Sequence, residues 1–314
     1  MIPTPSQSQE MDETTSAWKW AEIADATSDR ILHPANDDIK LSRYAIAQPE
    51  KTEAAPLLFL LPGSIGYSPS MATFAAAMGG VARVIPIKYP DLRSILGGKD
   101  TVAAMAVAAV EQINRSQSVG EVRLLGHSLG GAVAFEVAAR LLQSGRSVKF
   151  LGILDTSIAI EHRNYRETFV RVLRSTRTNR VLAYRMGCRA LAKAVVSIGA
   201  EARLAALLKR YGRQKKFYSM SLRIKMELLE TLRSRAFFAW LAAPKPALPI
   251  AGTVFRCDRG GAPPALGWDQ AFSNIEVVRI AGGHVDLIGE PHMRTNLALI
   301  EAALMQTNTE TKFC

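Results

Sequence analysis

Val122-Arg123-Leu124-Leu125-Gly126-His127-Ser128-Leu129-Gly130-Gly131 is the stretch from which the fold of this chain is read. An apolar run ends, a serine stands between two glycines, and Ala132, Phe135, Ala139 and Leu142 then recur at helical spacing. The pattern is G-x-S-x-G between a strand and a helix. Glycines suit such a turn because the chain reverses sharply and leaves no room for a Cβ. A serine held there carries its hydroxyl above the edge of a sheet. The helix behind it offers free N–H groups and a positive dipole end. The competing reading is an ordinary strand-to-helix turn with a capping serine.

The flanking segments extend the pattern. Leu57-Leu58-Phe59-Leu60-Leu61, closed by Pro62-Gly63, is continuously apolar and reads as a fully buried parallel strand. Ala82–Ile87, Lys149–Leu154, Thr253–Arg256 and Glu276–Ile280 read as further strands. Pro69–Met78 and Asp100–Arg115 read as helices, the second with Asp100 as its N-cap. A last helix is expected over Pro291–Met305 with Pro291 in its first turn. Upstream, Ala17–Ala26 suggests a short helix and Arg43–Ala47 a strand, within an N-terminal extension (residues 1–50) whose polar composition predicts partial disorder. Between residues 159 and 244 no strand pattern occurs. Helical segments fill this insert, separated near Gly187, Gly199 and Gly212. Strands alternating with helices on both sides of the insert predict one α/β domain over residues 51–314, a mostly parallel, doubly wound sheet with a helical lid. Such sheets bind ligands outside the carboxyl ends of their strands, where Ser128 stands.

Composition narrows the setting. The chain has 314 residues, 48% of them hydrophobic and 21% charged, an ordinary globular balance. Cys188, Cys257 and Cys314 are far apart and show no metal-ligand spacing, which fits a reducing compartment and predicts no bound metal. The acidic early stretch with Glu10, Asp12 and Glu13 is unlike a signal peptide, and the apolar stretch Thr101–Val110 is too short to span a bilayer. A cytoplasmic location is expected. Net charge is +11, yet the insert alone holds nineteen Lys and Arg against five Glu, so the remainder is slightly acidic. Basic residues interleave with Leu, Val and Ala as in amphipathic helices, and no nucleic-acid motif accompanies them. A positive rim of this kind would steer an acidic macromolecule towards the serine.

A serine hydroxyl needs a base, and the base an orienting acid. In the α/β-hydrolase arrangement the chain order is serine, acid, histidine. His33 lies upstream, His127 is fixed in the turn with its side chain directed inward, His162 opens the insert, and His292 falls in the expected last helix. His284 follows a strand across Ala281-Gly282-Gly283 and is the candidate base. Two acids fit. Asp155 ends the apolar strand Phe150–Leu154, and Asp258 follows Thr253–Arg256 beside Arg256 and Arg259. The cleaner strand favours Asp155, with Asp258 left as the alternative. Two donors must meet a developing oxyanion. One is the backbone N–H of Leu129; the other comes from the loop after Leu57–Leu61, at Ser64 or Ile65. That loop lacks the G-x-G-x-x-G and G-K-[ST] patterns of phosphate cradles.

Together P-G-S-I-G-Y, L-L-G-H-S-L-G-G-A-V-A-F-E-V-A, L-G-I-L-D-T and G-G-H-V-D-L-I-G-E-P-H resemble the thioesterase domains that end nonribosomal peptide and polyketide synthases. The resemblance implies an α/β-hydrolase fold with a helical lid. It implies transfer of an acyl or peptidyl chain from the phosphopantetheine thiol of a carrier protein onto Ser128, then release to water, an amine or a hydroxyl. It implies no cofactor bound by the enzyme itself. Chain-terminating members place the acid as Asp155 stands here and many editing members as Asp258 stands, which sharpens the choice to Asp155. It also implies that the acidic partner of the basic lid is an acyl or peptidyl carrier protein. No carrier segment with a D-S dipeptide precedes the pattern, so a free-standing or excised enzyme is expected. A carboxylester hydrolase, lipase or non-catalytic binding protein on the same fold is the alternative.

Overall fold

The structure, a computed structural model, describes residues 55–159, 180–211, 214, 217–258 and 261–309. The expected helix Ala17–Ala26, the strand Arg43–Ala47 and the break at Gly212 lie outside them.

Six strands are described: β1 (Leu57–Leu61), β2 (Arg83–Pro86), β3 (Val122–His127), β4 (Val148–Leu154), β5 (Leu248–Arg256) and β6 (Phe272–Arg279). All pairings are parallel, in the order β2-β1-β3-β4-β5-β6. The chain thus winds outward from β1 and β3 in both directions, as the alternating pattern predicted. The continuous apolar runs are explained by burial on both faces. Phe59 and Leu61 point into one core layer with α3 (Val102–Ser116) and α4 (Leu129–Gln143). Leu58 and Leu60 point into the other, with α1 (Pro69–Ala77) and α8 (Met293–Thr309).

Register aligns the carboxyl ends. Leu61 pairs with Gly126, Gly126 with Ile153, Leu154 with Phe255, and Arg256 with Arg279. The loops bearing Gly63, Ser128, Asp155, Cys257 and His284 therefore leave one edge of the sheet.

The insert between β4 and β5 is helical where described: α5 (Arg180–Ser197), α6 (Glu201–Tyr211) and α7 (Tyr218–Ala242). Leu228 and Leu232 of α7 pack with Ala192 of α5 and with Ile95 of α2 (Leu92–Leu96), a short helix that the sequence reading missed. Trp240 seats the end of α7 on the core, its ring near Phe135 and Trp268 and its Nε1 donating to Glu136 at 2.8 Å.

Some boundaries differ from expectation. Thr101, not Asp100, caps α3 by accepting from the Ala104 N–H; Asp100 instead pairs with Arg235 of α7. Both residue types cap well and they are adjacent, so only geometry separates them. Pro291 precedes α8 rather than entering it, and the Glu290–Pro291 peptide is cis. Gly187 lies inside α5 and breaks nothing, since the neighbouring turns pack on α7. Gly199, with φ of 67°, does end that helix. β5 starts at Leu248, earlier than Thr253: Leu248 already pairs with Phe272, and Pro249 falls in a register irregularity between Leu248 and Ala251, where a missing N–H is tolerated.

Candidate active site

The turn after β3 forces Ser128 into φ 56°, ψ −123°, a backbone region that L residues avoid. Close packing holds it there. A Cβ on Gly126 would strike the Gly130 carbonyl, and one on Gly130 would strike the Leu61 carbonyl. Gly63 lies against the other side of the turn, where its Cβ would meet that of Ser128 at 3.3 Å. The backbone of Ser128 is tied on both sides. Its N–H donates to Leu154 O at 3.0 Å, and its carbonyl accepts from Thr156 Oγ1 at 2.5 Å. Trp268 Nε1 in turn donates to the Thr156 carbonyl at 2.7 Å. Trp268 bears on the site without a local motif, and Thr156 ends the stretch L-G-I-L-D-T with no role of its own legible there.

His284 reaches Ser128 from the loop after β6. Its Nε2 lies 2.9 Å from Ser128 Oγ and its Nδ1 lies 2.8 Å from Asp155 Oδ2. A carboxylate only accepts, so Nδ1 carries the proton and Nε2 is left to accept from the serine hydroxyl. Asp155 is fully buried, at φ 51°, and its Oδ1 accepts from the Cys257 N–H at 3.0 Å. Its other oxygen is thereby aimed at the imidazole. The loop carrying His284 is clamped by Asn296 of α8. This buried amide exchanges bonds with both backbone groups of Ala281, at 2.8 and 2.9 Å, and donates to Leu287 O at 2.8 Å. The signal for Asn296 was absent from the sequence because it acts across the turn before α8.

His127 sits beneath. Its side chain turns inward, as the tight turn implied, and stacks on the His284 ring. Burial first, and then the neighbouring imidazole, push its pKa down to about 4.

Asp258 is exposed beyond the end of β5, and it is Asp155 that occupies His284 Nδ1. Arg256 donates to the Pro263 and Pro264 carbonyls, at 3.2 Å each. Ser64 and Ile65 form the middle of a turn closed by Gly66 N–H to Gly63 O at 3.0 Å. Their own N–H groups donate to nothing among the described residues. Leu129 is the first residue of α4, so its N–H has no partner within the helix. His33 and His162 lie outside the described residues, and His292 precedes α8 with its Nε2 3.9 Å from Asp286. No group of three or more His, Cys, Asp or Glu among the described residues is arranged to hold a metal ion, and no described helix is long and apolar enough to cross a membrane.

The arrangement can do nucleophilic acyl transfer: a hydroxyl, a correctly tautomeric base and a buried carboxylate in line. Comparison with known proteins agrees in kind. The family model "Thioesterase domain" matches residues 56–302. The synthetase VabF for vanchrobactin, from Vibrio anguillarum, is 27% identical over 122 residues, 39% of this chain. The non-reducing polyketide synthase men2 from Menisporopsis theobromae is 33% identical over 105 residues, 32% of this chain. The matches span only 4% and 5% of those relatives' own lengths. Among solved structures, the type II thioesterase BorB from the borrelidin biosynthetic cluster is similar in fold, with TM-score 0.53, 21% identity, and coverage of 83% of this chain and 96% of that one.

Proposed function

Because this chain belongs to the thioesterase-domain family, we propose that it is a serine hydrolase releasing an acyl, peptidyl or polyketide chain from the phosphopantetheine thiol of a carrier protein. The observation that carries this reading is the line Ser128 Oγ–His284 Nε2–His284 Nδ1–Asp155 Oδ2, at 2.9 and 2.8 Å. Ser128 Oγ adds to the thioester carbonyl while its proton passes to His284 Nε2. Asp155 stabilises the imidazolium through Nδ1–H. The oxyanion is met by the N–H groups of Leu129 and of the Ser64–Ile65 turn. Collapse breaks the C–S bond, and the thiolate leaves with the proton from Nε2. His284 then deprotonates water, an amine or a hydroxyl, which releases the chain from Ser128. The phosphopantetheine arm belongs to the substrate, and a cytoplasmic setting goes with that reading.

The carrier is proposed to dock on the basic insert. Each described glutamate of the insert is already paired: Glu201 with Arg235, Glu227 with Arg223 and Glu230 with Arg189. Exposed Lys193, Arg203, Lys209 and Arg210 are therefore left in excess on α5 and α6, a surface suited to an acidic partner.

The test is turnover of matched acyl thioesters and oxygen esters of one chain length. Thiol release far exceeding ester hydrolysis is expected. Equal or faster ester turnover would instead identify a carboxylester hydrolase.

A further inference from the structure

One side chain ties the turn after β1 to the insert. Arg233 of α7 is 6% exposed. Its Nη1 donates to the Ser64 carbonyl at 3.0 Å and its Nη2 to the Pro90 carbonyl at 3.2 Å. The guanidinium lies over the Tyr89 ring, 5.5 Å from its centroid, and the Tyr89 hydroxyl donates to the Pro62 carbonyl at 2.8 Å. No carboxylate among the described residues pairs with Arg233. A buried cation without a counter-ion is costly, and apolar packing would fasten the insert equally well. A role in packing alone does not explain it.

Its position against the turn does. The Gly63 carbonyl accepts from the Gly66 N–H and the Ser64 carbonyl accepts from Arg233. Both peptide units flanking Ser64 thus have their oxygens engaged. Each unit is planar and trans, so anchoring its C=O fixes the direction of its N–H, which belongs to Ser64 in one and Ile65 in the other. Donation into a carbonyl also polarises the amide and strengthens its N–H, and a charged donor does so most.

We propose that Arg233 is a positioning residue for the oxyanion site: it holds and polarises the Ser64–Ile65 turn from α7, so the seating of the insert sets how well the turn receives the oxyanion. This rests on the acyl-serine reading above. Arg233 would not touch substrate. It would act through the turn, and so affect the rate more than the binding of a substrate too small to reach the insert.

The experiment compares wild type, Arg233→Met and Arg233→Lys on butyryl-N-acetylcysteamine, with thermal unfolding to select folded variants. Arg233→Met is expected to lower kcat on the order of ten- to a hundredfold with KM within about twofold. Arg233→Lys should recover part of the loss. The infrared carbonyl stretch of acyl-Ser128 should move to higher frequency in Arg233→Met, because a weakened site polarises the carbonyl less. If Arg233→Met does not fold, Arg233→Lys carries the test, with a smaller loss and shift of the same sign. A folded variant with unchanged kcat and stretch overturns the proposal. A wild type that forms no acyl-Ser128 overturns the functional reading, and this proposal with it.

Discussion

His127 lies stacked on His284, ring centroids 5.5 Å apart, and its Nε2 is 3.2 Å from the His284 carbonyl oxygen. A carbonyl only accepts, so His127 carries its proton on Nε2 and donates. The residue before the candidate nucleophile thereby holds the backbone of the candidate base.

Burial of His127 beside a second imidazole makes a prediction about acid stability. His127 has a folded pKa of about 4 against an ordinary 6.5, so the unfolded chain binds a proton between those values that the folded chain refuses. Stability is full above pH 6.5 and falls as pH drops towards 4, by at most about 3 kcal/mol from this group. His127→Gln, whose amide can still donate to the carbonyl, should flatten this part of the decline. Urea unfolding at pH 7.5 and pH 5 measures it; an equally steep decline in the variant would show that His127 is not the source.

The candidate acid is tested by paired substitutions. Asp155→Asn should lower kcat on the order of 10⁴-fold, because an amide no longer fixes the imidazole tautomer. Asp258→Asn, at an exposed position, should leave it within about twofold. Steady-state kinetics of both on one thioester decide the matter, and the reverse ranking would make Asp258 the acid.

Gly126 and Gly130 of the turn should tolerate no side chain. In Gly130→Ala the new Cβ meets the Leu61 carbonyl, which is backbone and cannot move aside. A loss of several kcal/mol of stability, or failure to fold, is expected. Gly145→Ala has open space around its Cβ, and only its φ of 78° strains it, so it should lose about 1 kcal/mol. Comparable unfolding midpoints would contradict this account of the turn.

Docking through the insert predicts a split between substrates. Reversing Arg203, Lys209 and Arg210 to glutamate should raise KM for a carrier-bound chain severalfold, most strongly at low salt. Turnover of a small thioester should not change. Equal effects on the two substrates would remove the electrostatic argument.

What the sequence made legible depended on range. β1 and the turn at Ser128 were readable because unbroken apolar runs and clustered glycines leave few alternatives. The position of His284 followed from chain order and its glycine neighbours. The roles of Thr156, Asn296 and Arg233 were not readable. Each acts on backbone that it reaches only through the fold, Arg233 on Ser64 from 169 residues away. Local propensity marks none of these contacts. The caps at Thr101 and the proline before α8 turned on differences of one or two residues that periodicity does not resolve.

The central claim is that Ser128 takes the acyl group, with His284 as its base. Intact-protein mass spectrometry after mixing with acyl thioesters of graded length tests it directly. The account predicts one added acyl group, mapped to the peptide containing Ser128, absent in Ser128→Ala and nearly absent in His284→Ala. An adduct that persists in Ser128→Ala, or turnover without any acylation of Ser128, would contradict it.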